Sequence, residues 1–292
     1  MNAANKRAMF KRLLKIHKPL ILIGIHDALS AKLAQMARAQ ALWSSSFGFS
    51  TVSGFPDANI LSFTENLDMI RKILHQTSIP LIADCDSGYG DLAIFYRVVN
   101  EFEIAGVTGI CIEDNLFPKR NSFYDTNRTL APIAQHAAKI KLAVSKRKDK
   151  NFIVIARTEA FIAGLGVDEA LHRARAYALA GADAICVHSK KDHPREIFEF
   201  AKRWHSPKPL MAIPTTYWTT PPQTLYDNGY QIIIYANQLL RSTIPAMKRV
   251  LTSIHNNEKR NRVFSQNLAT LQEVFDITDA NELEEKELKF NP

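Results

Sequence analysis

Four acidic residues stand at places in the sequence where they could hold one metal ion together. Asp84, Asp86 and Glu113 lie at or just beyond the ends of two short apolar runs, and Asp57 lies in a long loop between such runs. Four carboxylates on one surface repel one another unless a cation neutralises them. Because Mg²⁺ prefers oxygen ligands and keeps several waters, these acids predict a Mg²⁺ site that is held partly through water.

Positively charged side chains and hydrogen-bond donors follow other apolar runs. Arg157 and His188 come at the ends of two runs and would bind a carboxylate or phosphoryl group. Ser45 and Ser46 follow another run, where hydroxyl and backbone N–H groups can surround an anion. A lone acid at a strand end is more often a helix cap. The whole set, however, predicts a Mg²⁺-dependent enzyme that acts on a small, multiply anionic acid.

The elements that would position these residues are short apolar runs, each about as long as a buried strand. There are eight of them: LILIGIHD, ALWSSS, PLIADCDS, GICIED, FIVIARTE, AICVHS, LMAIPT and QIIIYAN. Helical patterns such as SAKLAQMARAQ and DEALHRARAYALA separate them, and Asp168 is a candidate N-cap for the second pattern. Glycines suited to helix C-termini stand before the next strands, namely Gly106, Gly181 and Gly229.

Repeated strand–helix units predict an α/β fold, specifically a closed (β/α)₈ barrel of the TIM type. An open, doubly wound sheet is the alternative, but no GxGxxG motif follows any of the runs. The C-terminal strand ends of a barrel form one face, where the polar residues above would meet Asn237 from the eighth run. We expect residues 1–250 to form the catalytic barrel and residues 251–292 to form a helical segment that packs on a partner subunit.

Composition argues against a nucleic-acid-binding or membrane protein. The net charge is +8, but the basic runs KRAMFKRLLKIHK, KIKLAVSKRKDK and KRNRVF are scattered and are best interpreted as solvated faces. No apolar run approaches the roughly 18 residues of a membrane span. The run LILIGI is too short for a signal peptide, so we expect a first helix followed by a strand.

The cysteines point to a reducing compartment. Cys85, Cys111 and Cys186 all lie inside apolar runs and lack the spacing of a zinc site. We therefore expect buried thiols and a cytoplasmic location.

Six blocks of the sequence resemble, in order, the phosphoenolpyruvate mutase / isocitrate lyase superfamily. They are HDALSAKLA, LWSSSFGFSTVSGFPDAN, ADCDSGYGD, IEDNLFPKRNS, ARTEAFIAGLG and GADAICVHSKK. The resemblance implies a (β/α)₈ barrel whose C-terminal helix swaps between partners, in a homodimer or a homotetramer.

The resemblance also implies roles for individual residues. Arg157 and His188 would stabilise the group that is transferred. The implied Mg²⁺ set is Asp84 in direct contact and, through water, Asp57, Asp86 and Glu113. The residues implied to bind the acid group of the substrate are Trp43, Ser45, Ser46 and Phe47.

The stretch IEDNLFPKRNS separates the branches of the superfamily. Lyases carry a lid with Lys-Arg-Cys-Gly-His, whereas Asn121 stands here in place of that Cys. The mutase branch has Glu-Asp-Lys, five residues and then Asn-Ser, and this chain has Glu113, Asn121 and Ser122 at that spacing. By resemblance, Lys119 and Asn121 belong to a closing lid that acts in catalysis, and Asn121 and Ser122 bind the substrate.

This pattern favours the interconversion of phosphoenolpyruvate and 3-phosphonopyruvate. Asp57 would lie near the transferring phosphorus and either orient it or act as a transient acceptor. Phosphonopyruvate hydrolysis is the first alternative, because it differs only in whether water reaches the phosphoryl group. A C–C lyase or oxaloacetate hydrolase is disfavoured by the missing lid Cys, and a non-catalytic binding protein by the complete acid set. Asn115 and Ser46 depart from the usual Lys and Gly, which indicates a shifted substrate or a weaker enzyme.

Overall fold

The eight predicted strands form one closed barrel. The structure, a computed structural model, describes residues 1–124, 128–255 and 268–291, and it divides into two compact units, Met1–Asn237 and Gln238–Pro292. In the first unit all neighbouring strands are parallel and pair in sequence order, and β1 pairs with β8. The strands are β1 (Leu20–Ile25), β2 (Ala41–Ser44), β3 (Leu81–Asp84), β4 (Gly109–Glu113), β5 (Ile153–Thr158), β6 (Ala184–Val187), β7 (Leu210–Ala212) and β8 (Tyr230–Tyr235).

Helices alternate with these strands along the chain. Those of the first unit are α1 (Ala3–Leu13), α2 (Ala28–Met36), α3 (Ser46–Val52), α4 (Phe63–Gln76), α5 (Leu92–Ala105), α6 (Ile133–Lys146), α7 (Gly166–Leu179), α8 (Arg195–Lys202) and α9 (Pro222–Asp227). The predicted (β/α)₈ barrel is therefore confirmed, whereas the swapped C-terminal helix stays a prediction.

Apolar side chains fill the barrel interior, which explains why the strands are almost continuous apolar runs. Leu22, Ile82, Ile155 and Ile232 belong to one buried cluster inside the barrel. A strand that is covered by other strands' side chains on one face and by helices on the other buries both faces. The three cysteines are free and buried, as predicted from the sequence.

The helix ends follow the sequence signals with one exception. Gly106, Gly181 and Gly229 have positive φ angles of 101°, 105° and 99°, as predicted for residues that end helices. The predicted N-cap at Asp168 is wrong, because α7 begins earlier, at Gly166, after the N-cap residue Leu165. Asp168 lies in the first turn, where its negative charge suits the helix dipole, and it pairs with Arg203.

The basic first helix is partly buried rather than solvated. Phe10 of α1 belongs to the interior cluster. Arg7 donates hydrogen bonds to the backbone oxygens of Glu103 (2.6 Å) and Val107 (3.0 Å), and Lys6 donates to that of Thr77 (2.6 Å). The prediction of solvated faces is thus wrong for these two cations, which satisfy backbone carbonyl groups near the ends of α4 and α5. It is also wrong for Lys139 of the run KIKLAVSKRKDK, which is buried and donates to the backbone oxygens of Ser87 and Gly90. The prediction of a first helix followed by a strand is confirmed.

The second unit contains three described helices. They are α10 (Gln238–His255), α11 (Leu271–Thr278) and α12 (Ala280–Phe290). The predicted boundary at residue 250 falls within α10, and the basic run KRNRVF lies outside the described residues. Among the residues that the structure describes, no helix is long and apolar enough to cross a membrane.

Candidate active site

The C-terminal ends of the barrel strands bring the predicted acids close to one predicted cation. Asp84 and Glu113 are the last residues of β3 and β4. Lys119, in the loop after β4, places its Nζ atom 2.7 Å from Oδ1 of Asp57 and 2.9 Å from Oδ1 of Asp86. The ammonium group thus partly neutralises the acid cluster, and this contact could not be read from the order of residues.

Burial and charge set the protonation behaviour of this cluster. Burial, followed by the neighbouring Asp86, raises the pKa of Asp84 to about 6. Burial raises the pKa of Glu113 to about 8, although the positive charge of Arg157 opposes the rise. Burial disfavours the charged form of Lys119, but Asp86 and the other acids outweigh it and raise the lysine pKa well above its ordinary value.

Asn59 is a site residue that the sequence analysis missed. Its Nδ2 donates to Oδ2 of Asp86 at 2.7 Å, and its Oδ1 accepts from the backbone N–H of Lys119 at 2.6 Å. It therefore joins Asp86 to the loop that carries Lys119. The four acids near Lys119 are called the acid rim below: Asp57, Asp84, Asp86 and Glu113. The available signal was an Asn two residues after Asp57, since Asn tolerates the left-handed backbone found there, with a φ of 54°.

The lid residues Asn121 and Ser122 point into the same site. Nδ2 of Asn121 donates to Oδ2 of Asp57 at 2.7 Å. Oγ of Ser122 donates to Oε2 of Glu159 at 2.5 Å. Both predicted residues therefore contact the site, and Asn121 meets the acid predicted to lie near the transferring phosphorus.

Arg157 gives one side of the site its positive charge, and His188 lies beside it. Arg157 Nη2 lies 3.3 Å from Oε2 of Glu113 and 2.8 Å from Nδ1 of His188. Burial, and then the charge of Arg157, lower the pKa of His188. The other ring nitrogen, Nε2, is buried and has no hydrogen-bond partner among the described residues. It is therefore a protein atom that a bound substrate could satisfy.

Glu159 organises this positive side, a role that the sequence analysis did not assign. Its Oε1 accepts from Nε of Arg157 at 2.7 Å and lies 3.0 Å from Nδ1 of His188. Burial disfavours its charge, but Arg157 and then His188 hold the pKa of Glu159 well below its ordinary value. Its backbone N–H donates to Asp114 at 2.8 Å, so the residue directly after β4 supports the residue directly after β5.

The predicted anion cradle lies at the end of β2 and the start of α3. Trp43 is fully buried in β2, and the Ser45 hydroxyl caps α3 by accepting from the Gly48 N–H at 3.2 Å. Ser46 and Phe47 form the first turn of that helix. The Ser46 hydroxyl donates to Oδ2 of Asp84 at 3.2 Å, so this departure from the family pattern supports a rim acid.

Asn237 completes the set of predicted substrate-binding residues. It follows β8 by two residues, on the strand-end side of the barrel. Its place in the substrate site stays a prediction.

The acid cluster fits a magnesium ion that is held largely through water. Within the parts of the chain that the structure describes, no group of three His, Cys, Asp or Glu side chains forms a close metal cage. Burial makes the charged forms of Asp84 and Glu113 costly, as their raised pKa values indicate, and a nearby positive charge would offset this cost. A hard divalent cation with several retained waters would supply that charge without needing a complete protein cage.

Comparison with known proteins places the chain in a family. The family model described as phosphoenolpyruvate phosphomutase matches residues 10–255. The chain belongs to the phosphoenolpyruvate phosphomutase family. It is 36% identical over 290 residues to a phosphoenolpyruvate phosphomutase of Tetrahymena pyriformis, covering 99% of this chain and 96% of the relative.

Relatives named as phosphonopyruvate hydrolases are similarly close. The chain is 41% identical over 240 residues to a phosphonopyruvate hydrolase of a Variovorax strain, covering 80% of this chain and 82% of the hydrolase. A crystal structure of a phosphonopyruvate hydrolase in complex with oxalate and Mg²⁺ superposes with a TM-score of 0.91 and 35% identity, covering all of both chains. Family membership therefore confirms the superfamily prediction. Two activities remain to be separated: transfer of the phosphoryl group to carbon, as in a mutase, and transfer to water, as in a hydrolase.

Proposed function

We propose that this protein is a Mg²⁺-dependent phosphoenolpyruvate mutase that interconverts phosphoenolpyruvate and 3-phosphonopyruvate. The observation that carries the proposal is the 2.7 Å hydrogen bond from the Asn121 amide to Asp57. It puts a neutral lid donor beside the acid assigned to the transferring phosphorus. Asn121 also stands where the lyase branch has its lid Cys, which disfavours the C–C lyase and oxaloacetate hydrolase alternatives.

The pyruvyl half of the substrate would bind at the acid rim. Asp84 would hold Mg²⁺ directly, and Asp57, Asp86 and Glu113 would hold it through water. When bound, the ion supplies positive charge beside the carboxylate and the enolate oxygen of the substrate. Trp43, the Ser45 hydroxyl and the backbone N–H groups of Ser46 and Phe47 orient the carboxylate end.

The phosphoryl half would lie between the lid and the positive side of the site. Arg157 and Asn121 donate to its oxygens, and Nε2 of His188 makes the contact that the protein leaves open. Phosphoryl transfer passes through a loose state, so these donors position the group more than they react with it. The oxygen–phosphorus bond breaks, the pyruvate enolate turns, and C3 forms the carbon–phosphorus bond.

Lys119 has two parts in this proposal. Its ammonium group lies within 2.9 Å of Asp57 and Asp86, and its positive charge reduces the electrostatic repulsion between these carboxylates. Its backbone N–H is held by Asn59, so the same residue fixes the start of the lid at the rim. Closure of the lid excludes the water that would otherwise accept the phosphoryl group.

Phosphonopyruvate hydrolysis is the second candidate, and the 41% identity to the Variovorax hydrolase favours it. The site would bind the same substrate, and the products would be pyruvate and inorganic phosphate. The two activities differ in whether the closed lid admits one water molecule.

A coupled assay separates the two activities. The protein is incubated with phosphonopyruvate, Mg²⁺, ADP and lactate dehydrogenase with NADH, with or without pyruvate kinase. A mutase produces phosphoenolpyruvate, so NADH oxidation requires pyruvate kinase. Oxidation of NADH without pyruvate kinase would overturn the mutase proposal in favour of hydrolysis, and no oxidation in either mixture would overturn both.

We also propose that α10 and the helices that follow it pack on a partner subunit in a swapped dimer or tetramer. Support comes from the apolar side chains that α10 leaves exposed in the single chain, among them Met247 and Leu251. The three free, buried thiols support a reducing, cytoplasmic setting.

A further inference from the structure

Arg128 holds the backbone of the lid at Arg120 and Asn121. Its Nη1 donates to the backbone oxygen of Arg120 at 3.0 Å, and its Nη2 donates to that of Asn121 at 2.7 Å. The Arg128 side chain is only 6% exposed, and it lies 3.8 Å from Oε2 of Glu159. A planar guanidinium group can donate to two neighbouring carbonyl groups at once, which fixes the backbone of the residue between them.

Asn115 connects this guanidinium group to the acid rim. Its Oδ1 accepts from Nη1 of Arg128 at 3.2 Å, and its Nδ2 donates to Oε1 of Glu113 at 2.6 Å. Asn115 also forms an isolated β-bridge with Leu130. This bridge joins the start of the loop after β4 to the segment that leads into α6. The Asn115 amide therefore accepts a hydrogen bond from Arg128, which holds the lid, and donates one to Glu113 of the acid rim.

Asn suits this position because its side chain carries both a donor and an acceptor. A lysine ammonium group has three donors and no acceptor. Lys at position 115 could reach Glu113, but it could not accept from Arg128 and would bring a second positive charge against the guanidinium group. In this chain, Asn115 in place of the expected Lys is therefore compatible with Arg128, whereas Lys would not be.

We propose that Asn115 and Arg128 form a latch that positions Asn121 over the substrate and so determines how well the closed site excludes water. The proposal rests on the proposed function, and both latch residues are positioning residues that act through the lid. Arg128 fixes the backbone of Asn121, while the side-chain amide of Asn121 donates to Asp57. Loss of either latch residue frees the lid without removing a group assigned to the substrate.

The test compares Arg128→Met and Asn115→Lys with the wild-type protein and with Arg175→Met. Arg175 also donates to a backbone carbonyl, that of Arg203, but it is exposed and lies outside the lid. The first readout is the fraction of consumed phosphonopyruvate that appears as inorganic phosphate. We expect this fraction to rise about tenfold in both latch variants, with kcat for phosphoenolpyruvate formation falling more than KM changes. The Arg175 variant should match the wild type.

The second readout does not depend on activity. Hydrogen exchange measured by mass spectrometry on a peptide covering residues 116–124 should be about tenfold faster in both latch variants. Unchanged exchange in the lid, or an unchanged phosphate fraction in an active protein, would overturn the latch. A wild-type protein that turns over no phosphonopyruvate would overturn the proposed function, and the exchange rates would still decide the latch. Asn115→Lys retains Arg128, so the test survives if Arg128→Met fails to fold.

Discussion

At the scale of single residues, the Asn121 amide borders the place where the phosphoryl group would lie, because it donates to Asp57 at 2.7 Å. We expect Asn121→Ala to lower kcat for phosphoenolpyruvate formation by roughly 10²-fold, as the loss of one oxyanion donor does. Steady-state kinetics with phosphonopyruvate measure this effect.

The matched control for Asn121 is Asn228→Ala. This substitution also removes an amide donor, because Nδ2 of Asn228, at the C-terminal end of α9, donates to the backbone oxygen of Thr224. The kcat of the Asn228→Ala protein should equal that of the wild type. An Asn121→Ala protein with unchanged kcat would contradict the role of the lid amide.

The pKa values of the rim acids predict that Mg²⁺ binding releases protons. With a pKa of about 8, Glu113 is mostly protonated at pH 7 without the ion, and Asp84, with a pKa of about 6, is mostly ionised. Because a cation favours the ionised forms, binding should release about one proton at pH 7. The Mg²⁺ affinity should therefore rise with pH between about 6 and 8 and then level off.

Isothermal titration calorimetry in buffers of different ionisation enthalpy measures the released protons. Glu113→Gln should reduce the release at pH 7 strongly, because it removes the group that is protonated there. A proton release near zero in the wild type would show that the rim acids are already ionised without the ion.

Sequence reasoning found most charged residues of the site but not their pairings. Strand-end positions identified Asp84, Glu113 and Arg157, since these depend only on the repeat of strands and helices. The organising contacts of Glu159 depend on how neighbouring loops approach one another. Likewise, the position of Lys119 between two acids follows from the path of its loop, which no periodic pattern encodes.

At the scale of elements, α6 supports the glycine-rich turn that follows β3. Nζ of Lys139 donates to the backbone oxygens of Ser87 and Gly90 at 2.6 and 2.7 Å, and burial lowers its pKa. We expect Lys139→Met to weaken Mg²⁺ binding about tenfold, because a lost support displaces the rim acids. It should also destabilise the fold by about 1–3 kcal/mol, since two carbonyl groups lose their donor.

Lys141→Met is the control for this prediction. Lys141 lies on the same helix and is exposed, so the substitution changes the charge equally without touching the turn. Thermal unfolding and calorimetric Mg²⁺ titration provide the two readouts. Equal Mg²⁺ affinities in the two variants would show that α6 does not position the rim.

Helix boundaries were predicted less well than helix positions. Gly106 and the other helix-ending glycines were recognised because their backbone needs a positive φ. Asp168 was misplaced as a cap because an acid suits both the N-cap and the first turn of a helix. The burial of Lys6 and Arg7 was missed because only the folded barrel brings backbone carbonyl groups to α1.

At the scale of the whole molecule, α10 carries an apolar stripe that the single chain leaves exposed. Its members are Ile244, Met247, Leu251 and Ile254, with exposed fractions between 38% and 57%. Residues at this spacing lie on one side of a helix, and such a stripe marks a contact surface. We expect the wild type to form the proposed swapped oligomer, and Met247→Glu combined with Leu251→Glu to reduce it to a single chain of 32.9 kDa.

Light scattering coupled to size-exclusion chromatography measures the mass. Arg249→Glu is the control, because this exposed residue lies on the opposite side of α10. It should keep the mass of the wild type. A wild-type protein that already elutes as a single chain would contradict a swapped assembly.

Phosphorus NMR of the protein with phosphonopyruvate and Mg²⁺ tests the central claim most directly, since it resolves the substrate and both possible products in one sample. We expect the phosphonate signal to convert to a phosphoenolpyruvate signal, a chelator to prevent the conversion, and little inorganic phosphate to appear. Inorganic phosphate as the main product would contradict the mutase assignment, and an unchanged phosphonate signal would contradict phosphonopyruvate as the substrate.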